Sequence, residues 1–441
     1  MGRTGRGPSP VRPLPVRPLP VRPLPFCPMP RIPRPLLLLS ALVACGGSTE
    51  PGTQPHKLEA LPRTLTAAES KVLGAANAFS FALFDRLSAA QPGENVFVSP
   101  LSASFALGMT LNGAAGQTYT EMQSALQFAG TSLGDINAGY RSIIALLTSL
   151  DPAVKMQIAN SIWYRKDFAF TQAFFDTTKT YFAAKVAPLD FSDITGSLTA
   201  INGWVNASTG GKIPTIVDAI NPQDVMFLIN AIYFNGGWRD KFDTHETRDD
   251  TFQPPSGPAQ TVKLMHKLDT LSYAESDAWQ AVDLPYGNAA FTMTVVLPKP
   301  GTNINAFAAS LSASTWQSIA SSFQAREIDL TLPRLKLEYE RTLNDDLKAL
   351  GMNVPFVGDV ADFTRMSPAG NHLYISFVKQ KTYVDVNEAG TEAAAATAVG
   401  ISVTSAPIIP EMHVNRPYIF IIREHLSGTI LFMGKVTRIP S

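Results

Sequence analysis

The spacing of apolar and polar residues changes along the chain and divides it into regions. Residues 70–150 read as mostly helical and residues 225–300 as mostly strands. Residues 328–337 set Ile328, Leu330 and Leu332 against Asp329 and Thr331, the period of two that a half-buried strand requires. Another strand-like run, Thr382-Tyr-Val-Asp-Val386, leads into Asn387-Glu-Ala-Gly-Thr-Glu-Ala-Ala-Ala-Ala-Thr397. Alanine is the best helix former, so this tiny-residue run taken alone predicts a surface helix or loop. Gly390 opens the run, however, a threonine interrupts it, and Val399, Ile401, Val403 and Thr404 follow. That mixture suits a segment able to exist both as an exposed loop and as a strand in a crowded sheet.

Helices and strands in separate runs predict a mixed α+β domain. No Gly/Ser linker, charge run or internal repeat interrupts residues 70–441, so a single domain is expected over 67–441. With 441 residues, 45% of them hydrophobic, the chain can bury a sizeable core.

Residues 1–45 follow other rules. Val-Arg-Pro-Leu-Pro occurs in tandem at 11–15, 16–20 and 21–25, and proline at this density excludes a helix. The apolar stretch Leu36–Ala44 is too short to span a bilayer but suits the centre of an export signal, with Arg31 and Arg34 as its positive flank. Leu42-Val-Ala-Cys45 resembles a bacterial lipobox, which implies lipidation at Cys45 and a protein exported and held at a membrane or cell surface, or otherwise secreted. Met29 is the expected translation start, and residues 46–66 the expected flexible tether. Loss of the seven arginines before residue 45 would leave 29 basic against 36 acidic side chains. Such a mildly acidic surface speaks against nucleic acid as a partner. Cys27 and Cys45 are the only cysteines, so the domain has no disulfide.

Catalytic and metal-binding patterns are missing from residues 67–441. There is no Gly-x-Ser-x-Gly elbow, His-Glu-x-x-His helix or phosphate-cradling glycine loop. The six histidines (56, 245, 266, 372, 413 and 425) are scattered, with no pair at ligand spacing. No cofactor, no metal and no enzymatic activity are expected.

A set of motifs in fixed order carries more information. Asn77-Ala-Phe-Ser-Phe-Ala-Leu83 is followed by Asn95-Val-Phe-Val-Ser-Pro-Leu-Ser102, Leu111-Asn-Gly-Ala-Ala-Gly-Gln-Thr118 and Ile158-Ala-Asn-Ser-Ile-Trp163. Leu228-Ile-Asn-Ala-Ile-Tyr-Phe234 comes next, with Trp238 and Phe242, then Asn415-Arg-Pro-Tyr-Ile-Phe420 and Ile430-Leu-Phe-Met-Gly-Lys-Val436. Over nearly all of residues 70–441 the chain resembles the serpins, the serine-protease inhibitor family. The resemblance implies a fold of about three β-sheets and nine helices with an exposed reactive-centre loop. It also implies a mechanism. A protease attacks a bait bond in the loop and forms an acyl-enzyme; the cleaved loop then enters the central sheet as a new strand. That step is driven by the metastability of the native fold, and it distorts the captured protease.

Carried onto this sequence, the resemblance makes Glu388, Gly390, Thr391, Glu392, Ala393, Ala394, Ala395, Ala396 and Thr397 the hinge. On insertion, Thr391, Ala393, Ala395, Thr397 and Val399 would face inward, and Glu392, Ala394, Ala396 and Ala398 outward. Gly390 can swivel because it has no Cβ. Ser99, Pro100, Ser102, Asn160 and Asn230 match the shutter, where Gln380 replaces a frequent histidine. Trp238 and Arg334 match the breach at the top of the sheet, with Arg334 expected to pair with Glu388. Counting from the hinge puts the bait bond between Thr404 and Ser405, or one residue to either side. Ile401-Ser-Val-Thr404 has no basic or aromatic residue, so elastase-like or subtilisin-like proteases with small pockets are the expected partners. A monomer is expected, touching membrane only through its lipid. The alternative is a non-inhibitory binding or folding-helper lipoprotein on the same fold.

Overall fold

The computed structural model describes residues 57–391 and 409–440. Helix α1 (Ala67–Ala90) starts at a capping box: the Thr66 side chain accepts from Glu69 N, and the Glu69 carboxylate accepts from Thr66 N at 2.6 Å. Its buried residues Val72, Leu73, Ala76, Phe79, Leu83, Phe84 and Leu87 recur at three- and four-residue intervals on one face. Helix α2 (Pro100–Leu111) begins with proline at its first turn and Ser99 as cap, and of its residues only Ala106 is not buried. Helices α3 (Gly116–Ala125), α4 (Leu133–Ser149), α5 (Gln172–Phe182), α6 (Ile194–Ser208), α7 (Ile304–Ser310), α8 (Ala313–Ser321) and α9 (Asn344–Ala349) complete the nine α-helices among the described residues.

The strands are β1 (Val96–Val98), β2 (Val154–Arg165), β3 (Lys185–Leu189), β4 (Met226–Gly237), β5 (Arg248–Phe252), β6 (Gln260–Glu275), β7 (Trp279–Tyr286) and β8 (Phe291–Pro298). They continue with β9 (Gln324–Pro333), β10 (Leu335–Thr342), β11 (Lys379–Asn387), β12 (Gly390–Thr391), β13 (Glu411–His413), β14 (Tyr418–Glu424) and β15 (Ile430–Val436). One sheet has the order β10-β11-β12-β4-β2-β3. Its spine is the antiparallel ladder from Val154↔Gly236 to Tyr164↔Met226. The β4 residues alternate between two cores. Phe227 and Ile229 join a small cluster with Trp163, Phe191, Ile201 and Val205 beneath α6, whereas Leu228, Ile232 and Phe234 belong to the main core shared with α1 and α2.

The other strands form one nine-stranded network, β1-β15-β14-β8-β7-β6-β9-β13, with β5 on β6. The expected helix count and α+β class are found among the described residues, whose strands join into two hydrogen-bonded networks where about three sheets were expected. The 16 residues of β6 explain the difference. One edge of β6 holds β9 over Leu264–Tyr273, while the other takes β5 over Gln260–Leu264 and β7 over Ser272–Glu275. A strand of that length belongs to two packing layers at once and fuses their ladders.

Residues 57–66, expected as part of a flexible tether, lie against the domain, and residues 46–56 lie outside the described residues. Leu58, Leu61 and Leu65 pack against the main core, and Leu58 N donates to Asn288 O at 2.7 Å. Three leucines in a polar stretch suffice to hold residues 57–66 on the domain.

Candidate functional site

Strand β11 ends where three successive backbone carbonyls are captured. Asn387 O accepts from Trp238 Nε1 at 2.8 Å, Glu388 O from Phe242 N at 3.0 Å, and Ala389 O from Trp238 N at 2.9 Å. Trp238 is held in turn by stacking on Tyr286, with ring centroids 4.4 Å apart and planes at 14°. This aromatic pair turns the chain sharply and returns it to the sheet as β12.

Gly390 and Thr391 lie between β11 and β4, pairing with Asn387 and Val386 on one side and with Gly237 and Gly236 on the other. Gly390 has φ +139°, and a Cβ there would meet Gly236 O at 2.4 Å and Gly237 Cα at 2.6 Å. Both obstacles are backbone, so only glycine fits. Thr391 is buried, and its Oγ1 shares a 2.8 Å hydrogen bond with Tyr286 OH. Among the described residues no ladder joins β4 and β11 directly; β12 is the strand between them. On the far side of residues 392–408 the chain rejoins the other network, where Asp329 N donates to Pro410 O and β13 runs parallel to β9.

Glu388 is buried, its side chain 7% exposed. It accepts from Arg334 Nε at 2.8 Å and from Thr247 Oγ1, and Arg334 Nη2 lies 2.6 Å away. Burial pushes this carboxyl up, but the hydrogen bonds from Arg334 and Thr247 outweigh burial and leave it below the ordinary carboxylate value of 4.5. A lowered folded-state value means that the contact stabilises the hinge above the ordinary value and is lost as pH falls through the lowered one. Glu388→Gln is therefore expected to loosen the hinge by about 1 kcal/mol, allowing for the half-exposed Arg334. Amide exchange at Gly390 and Thr391 should quicken about fivefold at neutral pH, and its protection relative to the intrinsic rate should no longer change as the carboxyl would titrate; unchanged exchange would refute the contact's role.

The residues expected in the shutter form two groups. Gln380 bridges Ser99 twice, accepting from Ser99 N at 3.0 Å and donating to Ser99 O at 2.7 Å, while Ser99 Oγ donates to Leu431 O at 2.7 Å. Pro100 and Ser102 continue from Ser99 into α2. Asn160 and Asn230 face each other across β2 and β4, where Asn230 Nδ2 donates to Asn160 Oδ1 and Asn160 Nδ2 to Phe182 O, both at 2.7 Å. Glu392, Ala393, Ala394, Ala395, Ala396, Thr397, Thr404, Ser405 and Cys45 lie outside the described residues.

Thr247, in a polar run, carried no functional signal in the sequence. Tyr286 ends Leu284-Pro-Tyr286, a motif that resembles the serpins, but nothing in the sequence assigned it a partner. Only the fold brings these two to Glu388 and Thr391.

Comparison with known proteins agrees with this geometry. The family model described as Serpin (serine protease inhibitor) matches residues 74–439. Serpin B11 of Homo sapiens is 34% identical over 381 residues, covering 81% of this chain and 97% of its own. The leukocyte elastase inhibitor of Sus scrofa is 35% identical, covering 83% and 99%. The crystal structure of tengpin, a thermophilic serpin, in its native state superposes with a TM-score of 0.78 at 30% identity, covering 88% of this chain and 98% of that one. A family model spanning most of the chain, and relatives matched almost end to end, make this protein a member of the serpin family.

Proposed function

We propose that the chain is an irreversible suicide-substrate inhibitor of serine proteases with small primary pockets, of elastase or subtilisin type. The observation that carries this reading is the placement of Gly390 and Thr391 between β11 and β4. A strand position is thereby begun at the point where the bait segment leaves the sheet. The protease serine oxygen attacks the Thr404 carbonyl carbon. Its proton passes through the protease's base to the departing Ser405 amine as the peptide bond breaks, and an ester to Thr404 remains. Freed from Ser405, residues 392–404 continue the strand that β12 starts, carrying the ester-linked protease with them before water can reach it. Ala393, Ala395 and Thr397 follow Thr391 on the inward face and are small enough to pass between two strands.

The small-pocket assignment rests on Ile401-Ser-Val-Thr404, and it is supported by the name of the porcine relative, an elastase inhibitor. Export and lipidation at Cys45 are part of the same reading, which puts the inhibitor at a membrane or cell surface.

The test mixes the purified chain with pancreatic elastase, a subtilisin and trypsin, and runs the products on a denaturing gel. A band near the summed mass that survives boiling is expected with elastase or subtilisin. Clean cleavage near Thr404 without such a band would mean that the loop is bait without a trap, and the proposal would fail.

A further inference from the structure

A short path of side chains joins the residues that precede segment 392–408 to those that follow it. Thr247, which donates to Glu388 on the near side, comes directly after Glu246. Asp329, whose N donates to Pro410 O on the far side, lies on β9. His266 of β6 stands between the two acids. Its Nδ1 is 2.7 Å from Glu246 Oε2, and its Nε2 is 3.0 Å from Asp329 Oδ1.

The sheet explains why they meet. Residues directly opposite one another share a face, and His266, Thr331 and His413 form one such row across β6, β9 and β13. Leu268, Asp329 and Glu411 form the next. The loop 238–247 and β5 supply the other charges nearby. His245 pairs with Asp243, Asp249 with Lys263, and Asp250 Oδ2 lies 3.3 Å from His413 Nε2, while Arg248 stands opposite Leu264. Lys267, the neighbour on β6, is engaged by Asp240 O and Asp269. Among the described residues, the ion pairs of Glu246 and Asp329 are both with His266.

A neutral imidazole has one N–H, so it donates to one carboxylate and turns a lone pair on the other. A protonated ring donates to both, through hydrogen bonds strengthened by charge. We propose that His266 is a positioning residue that ties the two stems of the bait segment together when its ring carries a proton. The tie runs from Glu388 through Thr247 and Glu246 to His266, Asp329 and Pro410. Acidification closes it, and a rise in pH releases one of the two acids. The proposal takes residues 392–408 as the bait, as above, but does not require that the bait trap a protease.

The test follows amide exchange of the full chain at Asp329 and Val414, at low ionic strength, from about pH 8 to about pH 5. These amides donate to Pro410 O and Thr331 O, the bonds that hold β13 in place. Protection relative to the intrinsic rate should rise about fivefold on acidification. Glu388, whose carboxyl is held below 4.5, stays ionised throughout. His266→Phe keeps a ring without a donor and should give low protection at every pH. Glu246→Gln should do the opposite and give high protection at every pH, because its amide can donate to a neutral ring that donates to Asp329. Packing alone would leave the wild type without a pH response. That result, an undiminished response in His266→Phe, or low protection in Glu246→Gln would each overturn the proposal. Failure to trap any protease would sink the inhibitor reading and leave this one standing.

Discussion

Thr391→Arg is expected to turn the protein from an inhibitor into a substrate, raising the moles of inhibitor consumed per mole of protease inactivated by tenfold or more. Thr391 is 3% exposed, hydrogen-bonded to Tyr286, and paired on both sides by β11 and β4. An arginine here has two outcomes. Buried, it would carry an unpaired charge into the sheet at a cost of several kcal/mol; expelled, it would pull Gly390 out with it and undo the start of the new strand. In the proposed mechanism, trapping is a race between strand insertion and hydrolysis of the ester. Each 1.4 kcal/mol added to the insertion barrier therefore shifts the outcome about tenfold toward hydrolysis. Titration of elastase or subtilisin with wild type and variant measures the ratio directly, and a gel distinguishes cleaved monomer from complex. An unchanged ratio would show that Thr391 does not limit insertion.

The parts of this fold that depend on short-range pattern were legible beforehand. Ile328, Leu330 and Leu332 are buried as the alternation required, with Asp329 and Thr331 between them only partly covered. The run Thr382–Val386 is the body of β11. At the site, Glu388, Arg334 and Trp238 could be named because they sit in motifs of a known family. Thr247 could not, and the motif that holds Tyr286 gave it no partner: the contacts to Glu388 and Thr391 span 141 and 105 residues of chain, and no local pattern encodes a contact at that range. The fusion of two layers through β6 was hidden for a similar reason, since a strand's pairing partners are chosen by tertiary packing. The leucines at 58, 61 and 65 were obscured by composition, lying next to a Gly/Pro-rich stretch that reads as a tether.

Asp283 is the clearest case of a residue whose importance only the fold reveals, and Asp283→Asn is expected to be among the most destabilising single changes in the domain. Its carboxylate and the Arg423 guanidinium meet at 2.7 Å between β7 and β14, with side-chain exposures of 6% and 4%. Thr294 of the intervening β8 donates to Asp283 Oδ1 and accepts from Arg423 Nε at 3.2 Å. Trp316 lies against the guanidinium at 5.6 Å. His425 Nδ1 is 3.2 Å from Arg423 Nη1, and burial followed by the charge of Arg423 pushes this imidazole's pKa down, so it stays a neutral acceptor. Removing the carboxylate charge leaves Arg423 buried without a counter-ion, and breaking a buried pair in this way costs about 3–5 kcal/mol. The urea midpoint of Asp283→Asn should fall accordingly. The pair itself need not add net stability, because both ions lose their hydration on burial. Asp283→Leu combined with Arg423→Met should therefore recover most of the loss or exceed wild type. If Asp283→Asn lowers stability by less than about 1 kcal/mol, the pair behaves as a solvated one, and water must reach the β7–β8–β14 layer.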